Sequence, residues 1–218
     1  MDSGFYESKD GNYLYTVNGN DCSLRRVNKY SSEFIIPETI DEKSVRVVSA
    51  TVFQAGKDII ERVVFPNSVK YLEYKSFIDM KMLKSVVLSG GISIVPMYSF
   101  VHCDALEEII IPKGISSVQS LATQECMSLK RIMIYEDNLI LTDGSFSDIV
   151  NSITSNSAYE YPRYKLDGTP DYRYNLVKKD TGIAVYGEVR KGLTLFVHPG
   201  SATEKIAKQY GYNTEVLE

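Results

Sequence analysis

Few residues of this sequence have the types and spacing that catalysis or metal binding would require. Neither His102 nor His198 has a partner at a useful spacing, and Glu107 and Glu108 lie on one predicted strand with no facing wall for a substrate. The sequence contains no phosphate-binding loop, no G-x-S-x-G nucleophile motif and no metal-ligand motif. We therefore expect a protein that is not an enzyme and that requires no cofactor and no metal.

The three cysteines are too few for a disulfide framework, and Cys22 has no spacing to a His or Cys that would indicate a metal site. Cys103 and Cys126 stand 23 residues apart, and Met80 stands 23 residues before Cys103. This column favours a stack of buried side chains, since Cys is among the residue types most often buried. A disulfide between Cys103 and Cys126 remains open, because neighbouring coils of a solenoid lie about 4.8 Å apart.

The same interval of 23 residues governs the apolar pattern in the middle of the chain. A strand-like run recurs at this interval and begins at Ile60, Leu83, Leu106 and Leu129. Two further columns keep the phase: Val69, Ile92 and Ile115, and then Leu72, Val95 and Val118. A period of roughly 20 to 29 residues headed by L-x-x-L-x-L is typical of leucine-rich-repeat solenoids, in which each unit stacks on its neighbours.

We predict a mainly β fold with short helices, namely a right-handed leucine-rich-repeat solenoid with parallel strands. Residues 34–135 would form the repeats, between an N-terminal cap at 1–33 and a C-terminal α/β cap at 136–218 that carries a divergent last repeat. All three parts would belong to one structural domain. In the N-terminal cap, residues 12–17 and 23–27 flank a turn signal and predict a β-hairpin that covers the open edge of the first coil.

The period is predicted to end after Tyr135. Phe53, Phe77 and Phe100 recur at intervals of 24 and 23 residues and would fill the core with one ring per coil. The next position of this column is Thr123, which indicates that the regular stack is ending.

Beyond the repeats, the pattern predicts two short helices and a set of turns. Apolar residues at helical spacing predict an amphipathic helix in the segment 146–153. Ser201 and Glu204 form a capping box that opens a second helix, with Gly211 as its stop. Between them, the segment 155–189 reads as turns that join short strands.

The outward face of the repeat strands is the first candidate binding site. Alternate residues of a strand point out of the core. They form an apolar column of Val64, Val87, Ile110 and Met133 and a polar column of Arg62, Ser85, Glu108 and Arg131. The preceding column, Glu61, Lys84, Glu107 and Lys130, alternates in sign at every coil. An aliphatic strip between charges is typical of a partner site, although the same residues also serve strand propensity and pairing.

The second candidate is a group of tyrosines in the irregular stretch after the repeats: Tyr159, Tyr161, Tyr164, Tyr172 and Tyr174. Tyrosine combines a flat apolar ring with a hydroxyl, which suits protein interfaces and sugar stacking. The same rings could instead pack the cap, which lacks Leu and Ile of its own. A carbohydrate-binding module that uses these tyrosines is therefore the alternative to a protein-binding repeat face.

The repeat itself resembles a known family. Residues 109–118 (Ile-Ile-Ile-Pro-Lys-Gly-Ile-Ser-Ser-Val) resemble the BspA-type leucine-rich repeats, and the resemblance covers residues 12–135. It departs from the family pattern at Ser89, Thr123 and Tyr135. The resemblance implies a protein–protein interaction or adhesion module of a secreted or cell-surface protein of a host-associated microbe. Its partner would be a protein, such as a host extracellular-matrix or cell-surface protein.

Composition and charge argue against two further classes of function, nucleic-acid binding and membrane insertion. The formal net charge is −4 and Lys and Arg are scattered, so the footprint expected for nucleic-acid binding is missing. No apolar run approaches the ~20 residues of a membrane span, and the first residues lack the features of a signal peptide. We expect either a protein that stays inside its cell, as an intracellular scaffold, or a mature fragment with a starting Met attached.

Overall fold

Short strands arranged as successive coils dominate the computed structural model. It describes residues 4–142, 144–146, 190 and 192–218, and the backbone at 163–164 and 170–171. In chain order the elements are β1 (Phe5–Glu7), β2 (Tyr13–Asn18), β3 (Asp21–Val27), β4 (Glu33–Ile35), β5 (Thr39–Ile40), β6 (Lys43–Val48), α1 (Ala50–Ala55), β7 (Arg62–Val64), β8 (Tyr71–Leu72), β9 (Phe77–Ile78), β10 (Ser85–Val87), β11 (Ile94–Val95), β12 (Phe100–Val101), β13 (Glu108–Ile111), β14 (Ser117–Val118), β15 (Arg131–Ile134), β16 (Ile140–Leu141), β17 (Arg163–Tyr164), β18 (Pro170–Asp171), β19 (Thr194–Val197), α2 (Ala202–Gln209) and β20 (Asn213–Val216).

One strand from each coil joins a main sheet of seven parallel strands, in the order β4-β7-β10-β13-β15-β19-β20. Val63, Val86, Ile109 and Ile132 align across four of these strands at the predicted interval. All four side chains are buried. The predicted parallel-strand solenoid is confirmed.

A second face of shorter strands closes the core. β6 pairs with β8, and β11, β14 and β16 form a parallel three-stranded sheet. The phenylalanine column lies between the two faces, as predicted. The rings of Phe77 and Phe100 are stacked with centroids 4.8 Å apart, and those of Phe53 and Phe77 are 4.4 Å apart.

The predicted N-terminal hairpin is present, but it covers only part of the first coil. β2 and β3 pair antiparallel around Gly19, which has a left-handed φ of 62°. β3 then pairs with β6 of the second face, and β1 adds to the far side of β2. The hairpin therefore extends the second face and leaves β4 as the terminal strand of the main sheet.

The expected loss of period after Tyr135 is wrong. β16 lies beside β14 on the second face, where Leu141 aligns with Val118 at the interval of the preceding coils. Gly144 then adopts a left-handed φ of 72°, as Leu121 does one coil earlier with a φ of 56°. The coils stay in phase because each is hydrogen-bonded to the one before it.

Thr123 is an interruption of the phenylalanine column and not its end. Phe146 follows 23 residues later and is buried, with its ring 5.8 Å from that of Tyr212. The Thr123 hydroxyl is buried and has no hydrogen-bond partner among the described residues. A polar side chain at this position costs stability but does not break the stack.

The second predicted helix is present as α2. The Ser201 Oγ accepts a hydrogen bond from the Glu204 amide at 3.0 Å, and Gly211 ends the helix region with a φ of 81°. Ala207 faces the core. The first predicted helix, at 146–153, lies outside the described residues apart from Phe146. The short strands expected in the segment 155–189 include β17 and β18, which pair antiparallel.

Glycines allow neighbouring coils to approach closely at one corner of the solenoid. A Cβ atom at Gly91 would lie 2.4 Å from the Asn67 carbonyl oxygen and 2.6 Å from that of Val69. One coil later, a Cβ at Gly114 would lie 2.2 Å from the Gly90 carbonyl oxygen. No L side chain fits there unless the backbone moves, so the corner depends on these glycines.

Leu106→Ala is expected to lower the free energy of unfolding by roughly 2 to 5 kcal/mol, because the side chain is fully buried and its loss leaves a cavity. Urea unfolding followed by circular dichroism measures the change. The adjacent exposed Glu107→Ala is the control and should change stability by less than about 0.5 kcal/mol. A loss well below about 1 kcal/mol for Leu106→Ala would contradict its place in the core.

Gly91→Ala is expected to lower the free energy of unfolding by about 1 to 3 kcal/mol, because its methyl group would meet backbone oxygens of the preceding coil. The same unfolding experiment measures it, with the nearby exposed Ser93→Ala as the control. Equal stability of the two variants would show that the corner can open without cost.

Candidate functional site on the outer face of the main sheet

An apolar strip crosses the outer face of the main sheet. The predicted column of Val64, Val87, Ile110 and Met133 is brought together in register, one residue per strand. The structure adds Ile35 at one end and Phe196 at the other. We call these six residues the outer strip. Five strand spacings of about 4.8 Å give it a length of roughly 24 Å.

The outer strip is accessible along its length. Ile35 is 62% exposed, and the other five side chains are partly exposed. Ile35 and Phe196 were not predicted as members, although both stand between two buried apolar residues in the sequence, as Val64 does. They belong to the outer strip because β4 pairs with β7 and β19 pairs with β15, and the sequence alone did not reveal these two pairings.

Paired charges flank the outer strip on one side. The predicted polar column continues to Glu33 of β4, whose carboxylate contacts the Arg62 guanidinium at 3.1 Å. Arg62 also donates a hydrogen bond to the Ser85 hydroxyl at 3.1 Å. Three coils beyond Arg62, Arg131 contacts Glu108 at 3.1 Å. Partly exposed ion pairs of this kind add little to stability, and here they place their side chains beside the outer strip.

The second charged column contains one of the ion pairs that its alternating sign predicts. The Lys84 ammonium contacts the Glu61 carboxylate at 2.7 Å, one coil away. This hydrogen bond raises the pKa of Lys84, and the charge of Glu107 in the following coil adds to the effect. Lys84 therefore lies between two carboxylates, as expected for cross-strand neighbours of opposite sign.

Both histidines have carboxylate partners, which corrects the expectation from the sequence. His102 Nδ1 lies 3.0 Å from Glu125 of the next coil. His198 Nδ1 lies 2.6 Å from Asp137, which connects the β19 coil to the turn after β15. Glu125 stands one 23-residue period after His102, so the repeat interval could have identified it, whereas Asp137 and His198 are 61 residues apart and follow no such interval. Within the described ranges, no group of three or more His, Cys, Asp or Glu side chains could hold a metal ion.

The cysteines occupy the core as free thiols, in agreement with the favoured interpretation. Cys103 and Cys126 are both fully buried, and Met80 is buried in the same column. The Cys103 thiol donates to the Phe77 carbonyl oxygen at 3.1 Å. A hydrogen bond with the Cys126 thiol and burial together raise the pKa of Cys103 well above its usual range. A thiol held neutral in this way is a poor nucleophile.

The tyrosine candidates lie almost entirely outside the described residues. Tyr159, Tyr161, Tyr172 and Tyr174 lie outside the described residues, and Tyr164 is described only by its backbone in β17.

None of the described helices is long and apolar enough to cross a membrane.

Three solved structures are similar to this chain. A leucine rich cell surface protein from Faecalibacterium prausnitzii is 18% identical with a TM-score of 0.44, over 78% of this chain and 61% of that one. The T. pallidum leucine rich repeat protein is 14% identical with a TM-score of 0.35, over 60% and 86%. The pneumococcal vaccine antigen PcpA is 15% identical with a TM-score of 0.38, over 66% and 51%. This chain therefore spans about three fifths of the F. prausnitzii protein.

A search of curated proteins found no match. A family profile described as the BspA type leucine rich repeat region, in contrast, matches six copies of its repeat over residues 28–156. The matched region extends past Tyr135, in agreement with the register of β16. It covers more than half of the sequence, and the chain belongs to the family of BspA-type leucine-rich-repeat proteins.

Proposed function

We propose that this protein is a non-catalytic interaction module that binds a protein partner through the outer strip. The observation that carries the proposal is the alignment of six apolar side chains across adjacent strands of one accessible sheet face. Monomeric proteins rarely expose extended apolar patches without a partner to cover them. Repeat proteins commonly bind through such extended faces.

The surroundings of the strip favour a protein as the partner. Protein interfaces combine an apolar centre with a polar rim. Here Ile110 and Val87 lie in the middle of the strip, and the ion pairs of Arg62 and Arg131 lie beside it. Both cations already have carboxylate partners within this chain. The rim therefore offers a binding protein positive hydrogen-bond donors and negative hydrogen-bond acceptors.

We further propose an adhesive role at the cell surface or in secreted form, with a host extracellular-matrix or cell-surface protein as the partner. Membership of the BspA-type family supports this location and role. The rival function is carbohydrate binding through the tyrosines of the segment 155–189. The two proposals differ in which residues matter, so one experiment can distinguish them.

Ile110→Asp is expected to abolish binding to protein partners while leaving the fold intact, since it places a charge in the middle of the strip. An array of extracellular-matrix proteins, mucins and glycans, probed with the purified full chain, measures this. The control is Ile94→Asp, which makes the same change at another partly exposed isoleucine, on the second face. Thermal unfolding should show both variants folded.

A protein signal that falls at least tenfold with Ile110→Asp and persists with Ile94→Asp would support the proposal. Equal protein binding by Ile110→Asp and the wild-type chain would contradict it. Glycan binding that survives Ile110→Asp would favour the rival proposal, in which the tyrosine-rich segment 155–189 binds carbohydrate.

A further inference from the structure

At the N-terminal end, the second face of the solenoid extends further than the main sheet, and this leaves a step in the surface. On the second face, β3, β2 and β1 precede β6. On the main sheet, β4 is the first strand. The main-sheet positions opposite β3 and β2 therefore hold no strand of the described chain.

A groove of about 410 Å³ occupies this step, between the hairpin and β4. Its walls include Tyr13 of β2, Val27 at the end of β3, and Phe34 and Ile35 of β4, with Tyr30 between β3 and β4. The Tyr30 ring packs edge-on against Phe34 at 5.9 Å, and its hydroxyl donates to the Val52 carbonyl oxygen at 2.8 Å. The walls thus combine these apolar side chains with the polar side chains of Asn12, Ser31 and Glu33, and Tyr30 is held in place by its core contacts.

The edge of β4 turns backbone hydrogen-bonding groups towards this groove. The Ile36 amide donates to the Val64 carbonyl oxygen at 3.0 Å, and the Arg62 amide donates to that of Ser32 at 2.9 Å. Even-numbered residues of this segment therefore bond to β7. In a parallel ladder, alternate residues turn their amide and carbonyl groups to opposite sides. The amides of Glu33 and Ile35 consequently point away from β7, towards the groove, as does the Glu33 carbonyl oxygen, which accepts one hydrogen bond from the Ser31 hydroxyl and keeps its second lone pair for a further donor.

Charge at the groove distinguishes one kind of occupant. Lys29 lines the groove and is exposed, and no carboxylate is paired with it in the part of the chain that the structure describes. Glu33, the nearest acidic residue of β4, is already paired with Arg62. The groove therefore presents one unpaired positive charge next to an open strand edge.

We propose that this groove binds an extended peptide segment of a protein partner, which adds to β4 as a further parallel strand of the main sheet. Addition of a strand to an open edge gains backbone hydrogen bonds and lets alternate side chains set the specificity. The residue aligned with Phe34 is apolar and faces the groove floor, and an adjacent carboxylate reaches Lys29. The inference does not depend on the proposed role of the outer strip, although the added strand would lie beside Ile35.

The probe is an end-blocked, fluorescein-labelled peptide with the sequence Ile-Glu-Arg-Val-Val-Phe-Pro, which is that of residues 60–66 and of the strand that already pairs with β4. Fluorescence anisotropy with the full chain measures its binding, with a scrambled peptide as the control. N-methylation of the first valine removes the amide that would bond to β4, and we expect at least a tenfold loss of affinity. N-methylation of the second valine, whose amide would face solvent, should be tolerated.

Variants of the protein complete the test. Ile35→Pro removes an amide that points to the groove but leaves the bonds to β7, and should weaken binding at least tenfold, whereas Ile35→Val should not. Lys29→Glu should weaken binding several-fold, with Lys205→Glu on α2 as the charge-matched control. Ile110→Asp should bind the probe normally, which separates this site from the outer strip.

Two results would overturn the proposal. The first is a flat anisotropy signal up to about 0.5 mM protein, which would mean that the groove has no useful affinity for an extended strand. The second is equal affinity of the two N-methylated peptides and the unmethylated probe, which would mean that the peptide does not pair with the β4 edge. Because the N-methylated peptides are used with the wild-type chain, this result does not depend on how well a variant folds.

Discussion

The structure depends on backbone hydrogen bonds that join each coil to the next in parallel register. The Phe65 amide donates to the Val87 carbonyl oxygen and the Leu88 amide to that of Ile110, so the same bond recurs one coil later. Side chains alternate between the two sides of a strand. A slip of one residue would therefore exchange the buried column of Val86 and Ile109 with the outer strip. The core and the candidate binding surface are two consequences of one register.

Register also decides which chemical groups meet. Residues one period apart in the sequence become neighbours, so equivalent side chains stack on each other. In the core this produces the phenylalanine stack and the contact of the Cys103 and Cys126 thiols. Apolar side chains of the same type can stack there without repulsion. On the surface, neighbours of like charge would repel, and the ion pairs of Lys84 with Glu61 and of Arg131 with Glu108 show alternation instead.

The regular stack leaves two kinds of surface unused by folding. The outer strip exists because a strand that is buried on one side still presents its other side to solvent. The groove at β4 exists because the hairpin continues the second face and not the main sheet. Strand edges and apolar faces are the surfaces that solenoids must either protect or use. In this chain neither is covered by the described residues, and for this reason we propose a different polypeptide ligand for each, a folded surface for the outer strip and an extended segment for the groove.

The sequence by itself determined the solenoid, its 23-residue period, the inward columns, four of the six residues of the outer strip and the capping box of α2. These follow from local periodicity, which repeats often enough to be recognised. The continuation of the coils past Thr123 and the pairing of His102 with Glu125 follow the same 23-residue interval and were overlooked in the sequence. Only the tertiary structure showed that Ile35 and Phe196 complete the outer strip and that His198 faces Asp137. The tertiary structure also showed that the hairpin joins the second face, which leaves the edge of β4 open. The physical reason is that these features depend on which coil lies beside which, and hydrogen bonds between distant segments settle that pairing where the apolar pattern is interrupted.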